Sequence, residues 1–140
     1  MLNAIIIGQY FLSKNPDLTD IQIQKLVYYA YSWYMVKNEG KKLFDEKPQA
    51  WIHGPVFRSL FDSMKNYKKF SGDKEFEKIE KDITDFLDVI YSIYGRYSGN
   101  ELEKMTHSEL PWIKARNGLK PYEFSQKTIA DEDIIKCYGG

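Results

Sequence analysis

Cysteine and histidine are nearly missing from this chain of 140 residues, which has one Cys (Cys137) and two His (His53 and His107). A lone thiol closes no internal disulfide, and so few soft ligands build no four-ligand zinc site without recruiting carboxylates. An excess of either charge is missing too. Twenty Lys and Arg balance twenty Asp and Glu, so the basic surplus with which a dedicated nucleic-acid binder neutralises phosphates is not there. No apolar run approaches the roughly 20 residues needed to cross a bilayer. The stretch Ala4-Ile5-Ile6-Ile7 is too short for a signal-peptide core and has no basic stretch before it. The expected location is therefore the cytoplasm, with no membrane contact. No glycine-rich loop leads into a phosphate-binding lysine, and no repeat, low-complexity tract or linker is visible.

What is present is apolar and aromatic. Hydrophobic residues make up 43% and aromatics 16%, and eleven of the aromatics are Tyr. That is ample for a packed core, and the length suits one domain over residues 1–140. Tyrosine combines a large ring with a polar tip, so its surplus suits half-buried positions and partner surfaces.

The patterning predicts a mainly α fold, a compact helical bundle with one small β-hairpin around residues 43–53. Asn3 is positioned to cap a helix over 3–13. Thr19 and Gln22 have capping-box spacing, flanked by Leu18 and Ile23 as a hydrophobic staple. Ile23, Leu26, Val27, Ala30 and Tyr34 then keep helical spacing, while Tyr28, Tyr29, Trp33 and Val36 add apolar surface elsewhere on that helix. It is thus either central in the fold or half covered by a partner. Gly40 is positioned to end it. Leu43-Phe44 and Ala50-Trp51-Ile52 flank the turn-like Asp45-Glu46-Lys47-Pro48, which gives the hairpin. Pro55 is expected to open the next helix. Residues 66–82 are charge-rich and read as a solvated loop and first helical turns, with Glu77 and Lys81 in the favourable i,i+4 order. Ile83, Phe86, Leu87, Ile90 and Tyr94 continue as an amphipathic helix. Ser98 and Glu101 form a second capping box, Pro111 opens a short helix, and a last helix runs from about 125 or 128 to Cys137 with Ile129, Ile134 and Ile135 inward.

Few residues invite a chemical reading. His53 lies in 49-QAWIHGPVFRSLF-61 with no nucleophile signature nearby. His107 and Glu109 have the H-x-E spacing of zinc deaminases, but the Pro-Cys-x-x-Cys that must follow is absent. Ser108 or Glu109 instead suits the start of the next helix as an acceptor, with Trp112 filling a core slot. Gly54-Pro55 alone is weak evidence for an anion site. The acidic residues fall in solvated charge runs. No catalytic residue, cofactor site or metal site is expected, and the pattern is that of a binding protein rather than an enzyme.

Three stretches carry a resemblance: 18-LTDIQIQKLVYYAYSWYM-35, 43-LFDEKPQAWIHGPVFRSLF-61 and 97-YSGNELEKMTHSELPWIKAR-116. In order and spacing they resemble the Panacea domain, the SocA-like or phage-associated GepA-like family. The matching positions are Gln24, Lys25, Leu26 and Tyr28 to Ala30; Ala50, Trp51, Gly54, Pro55 and Val56; and Leu102, Thr106, His107, Glu109, Pro111 and Trp112. The resemblance implies an antitoxin of a bacterial or phage toxin–antitoxin pair, acting by direct binding of its toxin. A proteolytic adaptor that delivers the toxin to a ClpXP-type protease is an alternative within the family. A third reading, since many antitoxins repress their own operon, is a DNA-binding regulator, although zero net charge speaks against it and against a nucleic-acid partner. The family supplies no catalytic residues to carry over. Tyr29 and Trp33, off the Ile23/Leu26/Ala30 stripe, are the candidate toxin contacts.

Overall fold

The computed structural model describes residues 1–140. Eight α-helices and one two-stranded antiparallel sheet follow in the order α1 (Ala4–Lys14), α2 (Asp20–Lys37), β1 (Gln49–Trp51), β2 (Gly54–Val56), α3 (Arg58–Met64), α4 (Tyr67–Gly72), α5 (Lys81–Tyr94), α6 (Gly99–His107), α7 (Leu110–Ala115) and α8 (Asp131–Gly139). The fold is mainly α, as the patterning predicts. No helix is long and apolar enough to cross a membrane.

Local chemistry sets the helix starts. Asn3 accepts from the Ile6 amide at the head of α1. Both capping boxes form: Thr19 and Gln22 exchange bonds of 3.2 and 2.8 Å, and Ser98 and Glu101 exchange bonds of 3.1 and 2.8 Å. Gly40 takes a φ of +88° just past α2 and donates to the Met35 carbonyl, closing the helix end.

The centre of the molecule is α2. Eleven of its eighteen residues are buried, on all sides rather than along one stripe. It packs against α1, α3, α5, α6, α8 and β2. That makes α2 central, as one reading of its sequence had it: most of its apolar excess is spent inside the fold, with Trp33 and Val36 left half-buried. A single cluster of 27 buried apolar residues surrounds it, drawn from α1 at one end to α8 at the other.

Several expected boundaries move. The hairpin spans 49–56, not 43–53, with Gln49 opposite Val56, Ala50 opposite Pro55 and Trp51 opposite Gly54. Its turn is Ile52-His53. Leu43 and Phe44 are core residues instead of a strand. The Asp45–Pro48 segment is pinned by Glu46, whose carboxylate accepts from the Ser59 amide and hydroxyl at the first turn of α3. Pro55 belongs to β2 and does not open a helix. Its fixed φ suits an extended edge strand as well as a helix start, and α3 begins at Arg58 behind an extended Phe57.

The charged stretch 66–82 also holds more helix than its composition suggests: α4, then a single 3₁₀ turn at Glu75–Lys78. Glu77 and Lys81 therefore sit in different elements, and Lys81 pairs with Asp85 at 2.8 Å. The last helix starts only at Asp131, because residues 127–129 run beside β1: Ala50 donates to the Lys127 carbonyl and Ile129 to the Pro48 carbonyl, each at 2.8 Å. Ile129 and Ile134 are fully buried, whereas Ile135 is 39% exposed and faces outward.

Candidate functional site

Several of the family-matching positions meet at the hairpin. Gln24 and Lys25 interrupt the apolar face of α2 between Ile23 and Leu26, and both are buried. Buried polar side chains need partners, and here the partners are strand backbone. The Gln24 amide accepts from the Phe57 N–H at 2.9 Å and donates to the Phe57 carbonyl at 3.2 Å, the way a neighbouring strand would. The Lys25 ammonium donates to the Pro55 carbonyl at 3.2 Å. From the opposite side, the Trp112 indole donates to the Trp51 carbonyl at 2.8 Å. The Arg116 guanidinium donates to the Ala50 carbonyl at 2.8 Å and to the carbonyls of Lys120 and Glu123. It also lies over the Trp112 ring. Leu26, Pro55, Val56, Thr106 and Pro111 are all buried.

Gly54 is where these groups come closest. Its φ is +109°, and a Cβ there would lie 2.6 Å from Lys25 Cε and 2.9 Å from Thr106 Oγ1. The missing side chain is what lets the lysine pass under the hairpin turn. Burial lowers the Lys25 pKa to about 8, and the nearby Glu103 carboxylate opposes that drop. Burial likewise lowers the His107 pKa. The His107 ring stacks on Trp112 with centroids 3.9 Å apart, and its buried Nε2 has no partner. His53 is exposed beside Glu103, 3.2 Å from the carboxylate. No three His, Cys, Asp or Glu side chains converge as a metal cage would require. What the arrangement does is mechanical: polar side chains of α2 and α7 and of the residue after α7 occupy backbone groups of a short sheet.

A second network lies behind the first. Tyr28 donates to the Tyr138 hydroxyl at 3.1 Å, since Tyr138 itself donates to Glu109 Oε1 at 2.9 Å. Tyr29 donates to the same oxygen at 2.8 Å. Glu109 thus spends its carboxylate on two phenols rather than on the free amides at the start of α7, as its position suggested. Burial raises the Glu109 pKa, and the two phenol bonds pull it partway back. Tyr29 is 0% exposed and stacks on Tyr94 with centroids 3.9 Å apart. It has no surface to give a partner, which removes it as a toxin contact. Trp33 is half-buried, with its indole N–H on the Tyr94 hydroxyl at 2.8 Å and one face toward the exterior.

The sign of the Glu109 effect gives a test. The folded state holds the Glu109 proton at pH values where the unfolded chain has lost it. Stability is therefore greatest on the acid side and falls as pH rises from about 4.5 through the raised value. Glu109→Gln keeps an acceptor for both phenols and cannot ionise, so its urea midpoint is expected to lose that fall. Glu109→Ala strands buried phenols and is expected to cost about 2–3 kcal/mol. A wild-type-like fall in the Gln variant would assign the titration elsewhere.

Three participants carry no local sequence signal. Arg116 and Tyr138 are a polar and an aromatic residue near helix ends, and the groups they hold across the fold, the Ala50 carbonyl and the Glu109 carboxylate, are 66 and 29 residues away in sequence. Tyr94 reads as an ordinary core position. Nothing short of the fold identifies them.

Comparison with known proteins adds one match. The family model for the antitoxin SocA-like, Panacea domain matches residues 23–113. That segment contains Gln24, Lys25, the hairpin, Glu109 and Trp112. No curated protein and no solved structure matches the chain.

Proposed function

We propose, from the premise that this chain belongs to the SocA-like antitoxin family of Panacea domains, that it neutralises a cognate toxin by direct protein–protein binding. The family match is the observation that carries the proposal. The buried constellation is in keeping with it: Gln24, Lys25, Trp112 and Arg116 are committed to holding backbone, a task that serves a binding domain.

The test is co-expression with the product of the adjacent gene. Rescue of growth together with co-purification of an intact complex is the expected result. Neither rescue nor complex would end the proposal. Toxin that disappears only in cells containing a ClpXP-type protease would replace inhibition by an adaptor role.

A further inference from the structure

Gln9 is the one polar side chain that α1 buries, at 4% exposed. Its amide is only partly used. Gln9 Nε2 donates to the Phe70 carbonyl at 3.1 Å. A carbonyl oxygen takes only a donor, so this bond fixes which end of the amide is the nitrogen. The other end, Oε1, accepts from no group of the protein. Sealed side-chain atoms without a partner are confined to His107 Nε2, so Gln9 Oε1 opens outward. It opens where Gln9 lines a depression of about 200 Å³ between α1, α4 and the 3₁₀ turn at Glu75–Lys78. Leu12 and Phe70 are the other buried residues of that depression, and Tyr67, Phe76 and Pro16 are more exposed parts of its wall.

The remaining polar groups of the wall select little. Ser13 and Ser71 spend their hydroxyl protons on the Tyr10 and Lys68 carbonyls. Asp73 pairs with Lys69 at 3.4 Å, and the Lys74 ammonium lies 5.8 Å from the centroid of the Phe76 ring. Asp73 and Lys74 cancel in charge, so an occupant need carry none. Tyr67 and Lys74 are exposed, and water serves their donors. What is left is a buried acceptor beside three aromatic rings. A water can meet that acceptor but leaves the rings wet. A ring that brings its own donor makes the same bond and covers the apolar wall as well. Size sets the limit. An apolar cavity of about 150 Å³ takes a benzene, and drug-sized ligands fill roughly 300 Å³ or more. The depression therefore suits a single ring system.

We infer that this depression binds a neutral aromatic ring bearing one N–H or O–H donor, a ligand of the indole or phenol class, with the donor on Gln9 Oε1 and the ring among Tyr67, Phe70 and Phe76. Such a ring comes either as a free small molecule or as a side chain of a partner protein. The site lies apart from the hairpin and does not rest on the toxin-binding function.

The experiment is a titration of the full chain, followed by NMR, with indole and with benzofuran. The two have nearly the same shape, but benzofuran has an oxygen in place of the N–H. Indole is expected to shift the signals of the Gln9 amide, the Leu12 methyls and the Phe70 ring with a dissociation constant of about 1 mM or tighter. Benzofuran is expected to bind roughly 10-fold more weakly, the worth of one hydrogen bond to a buried acceptor. Gln9→Met keeps the length of the side chain and removes the acceptor, so it should bind the two ligands equally. Equal affinities in the wild type, or no shift at these three residues up to the solubility limit of indole, would overturn the inference whether or not the variant folds. Repeating the indole titration with the adjacent gene's product present separates the two sources. Unchanged indole binding assigns the site to a free small molecule, and competition assigns it to a side chain of that protein.

Discussion

Gly54→Ala is expected to destabilise the protein by about 2–6 kcal/mol, lowering its melting temperature by roughly 5 °C or more. Two costs combine. A residue with a Cβ is held at φ +109°, which costs about 1–3 kcal/mol in backbone strain. The new methyl then lies 2.6 Å from Lys25 Cε and 2.9 Å from Thr106 Oγ1. A flexible lysine would usually swing aside, but Lys25 is 1% exposed and its ammonium is held by the Pro55 carbonyl. The overlap adds about 1–3 kcal/mol of overpacking. Gly40→Ala separates the two costs. Gly40 also has a positive φ, +88°, but nothing lies within 4 Å of its would-be Cβ. It should show the strain cost and no more. Equal losses in the two variants, measured by urea unfolding, would mean that the space under the hairpin turn is not what Gly54 provides.

The second large effect belongs to the lysine that passes beneath that turn. In the folded protein Lys25 releases its proton near pH 8, and in the unfolded chain near 10.5. Between those values the unfolded chain binds the extra proton. Stability therefore rises with pH across this window and sits at its lower plateau below pH 8. The full difference corresponds to about 3 kcal/mol at 1.36 kcal/mol per pKa unit. The buried tyrosines act in the opposite direction. Burial raises the pKa of Tyr28, Tyr29, Tyr31 and Tyr138, so above about pH 10 the unfolded chain ionises first and stability falls. A maximum between about pH 9 and 10 is expected in the urea midpoint. Lys25→Met should abolish the rise and keep the fall. The same rise in Lys25→Met would show that another group titrates there.

The parts of this fold that were legible in the sequence are those decided within one turn of helix. The Thr19–Gln22 and Ser98–Glu101 pairs announce α2 and α6 because donor and acceptor are three residues apart. The apolar surplus of α2 announces a helix with more to bury than one face. The hairpin was misplaced because Ile52-His53 lacks the Asn-Gly or Asp-Gly chemistry that marks a tight turn, whereas Asp45–Pro48 has turn-like residues used for another purpose. Glu46 holds the head of α3, and that contact is visible only in three dimensions. The site divides in the same way. Gln24, Lys25, Gly54 and Trp112 stand out in the sequence as positions shared with a family, but their common task does not: each meets the backbone of a segment far from it in the chain. Tyr29 shows the limit of reading a helix by its stripe. Being off the main apolar face means exposure only when nothing packs on the other sides, and α5 and α8 do.

The accounting of hydrogen bonds around the hairpin closes off one mode of growth. Along an antiparallel pair, alternate residues turn their N–H and C=O groups outward. On β1 that residue is Ala50, whose amide goes to Lys127 and whose carbonyl goes to Arg116. On the β2 side it is Pro55, which has no amide and gives its carbonyl to Lys25, followed by Phe57, both of whose groups go to Gln24. Neither edge offers a free ladder for another strand. The sheet is therefore a poor template for edge-to-edge aggregation, and it is closed to β-augmentation, a common way for proteins to capture extended peptides. A partner of this domain has to be met by surfaces other than the edges of its sheet.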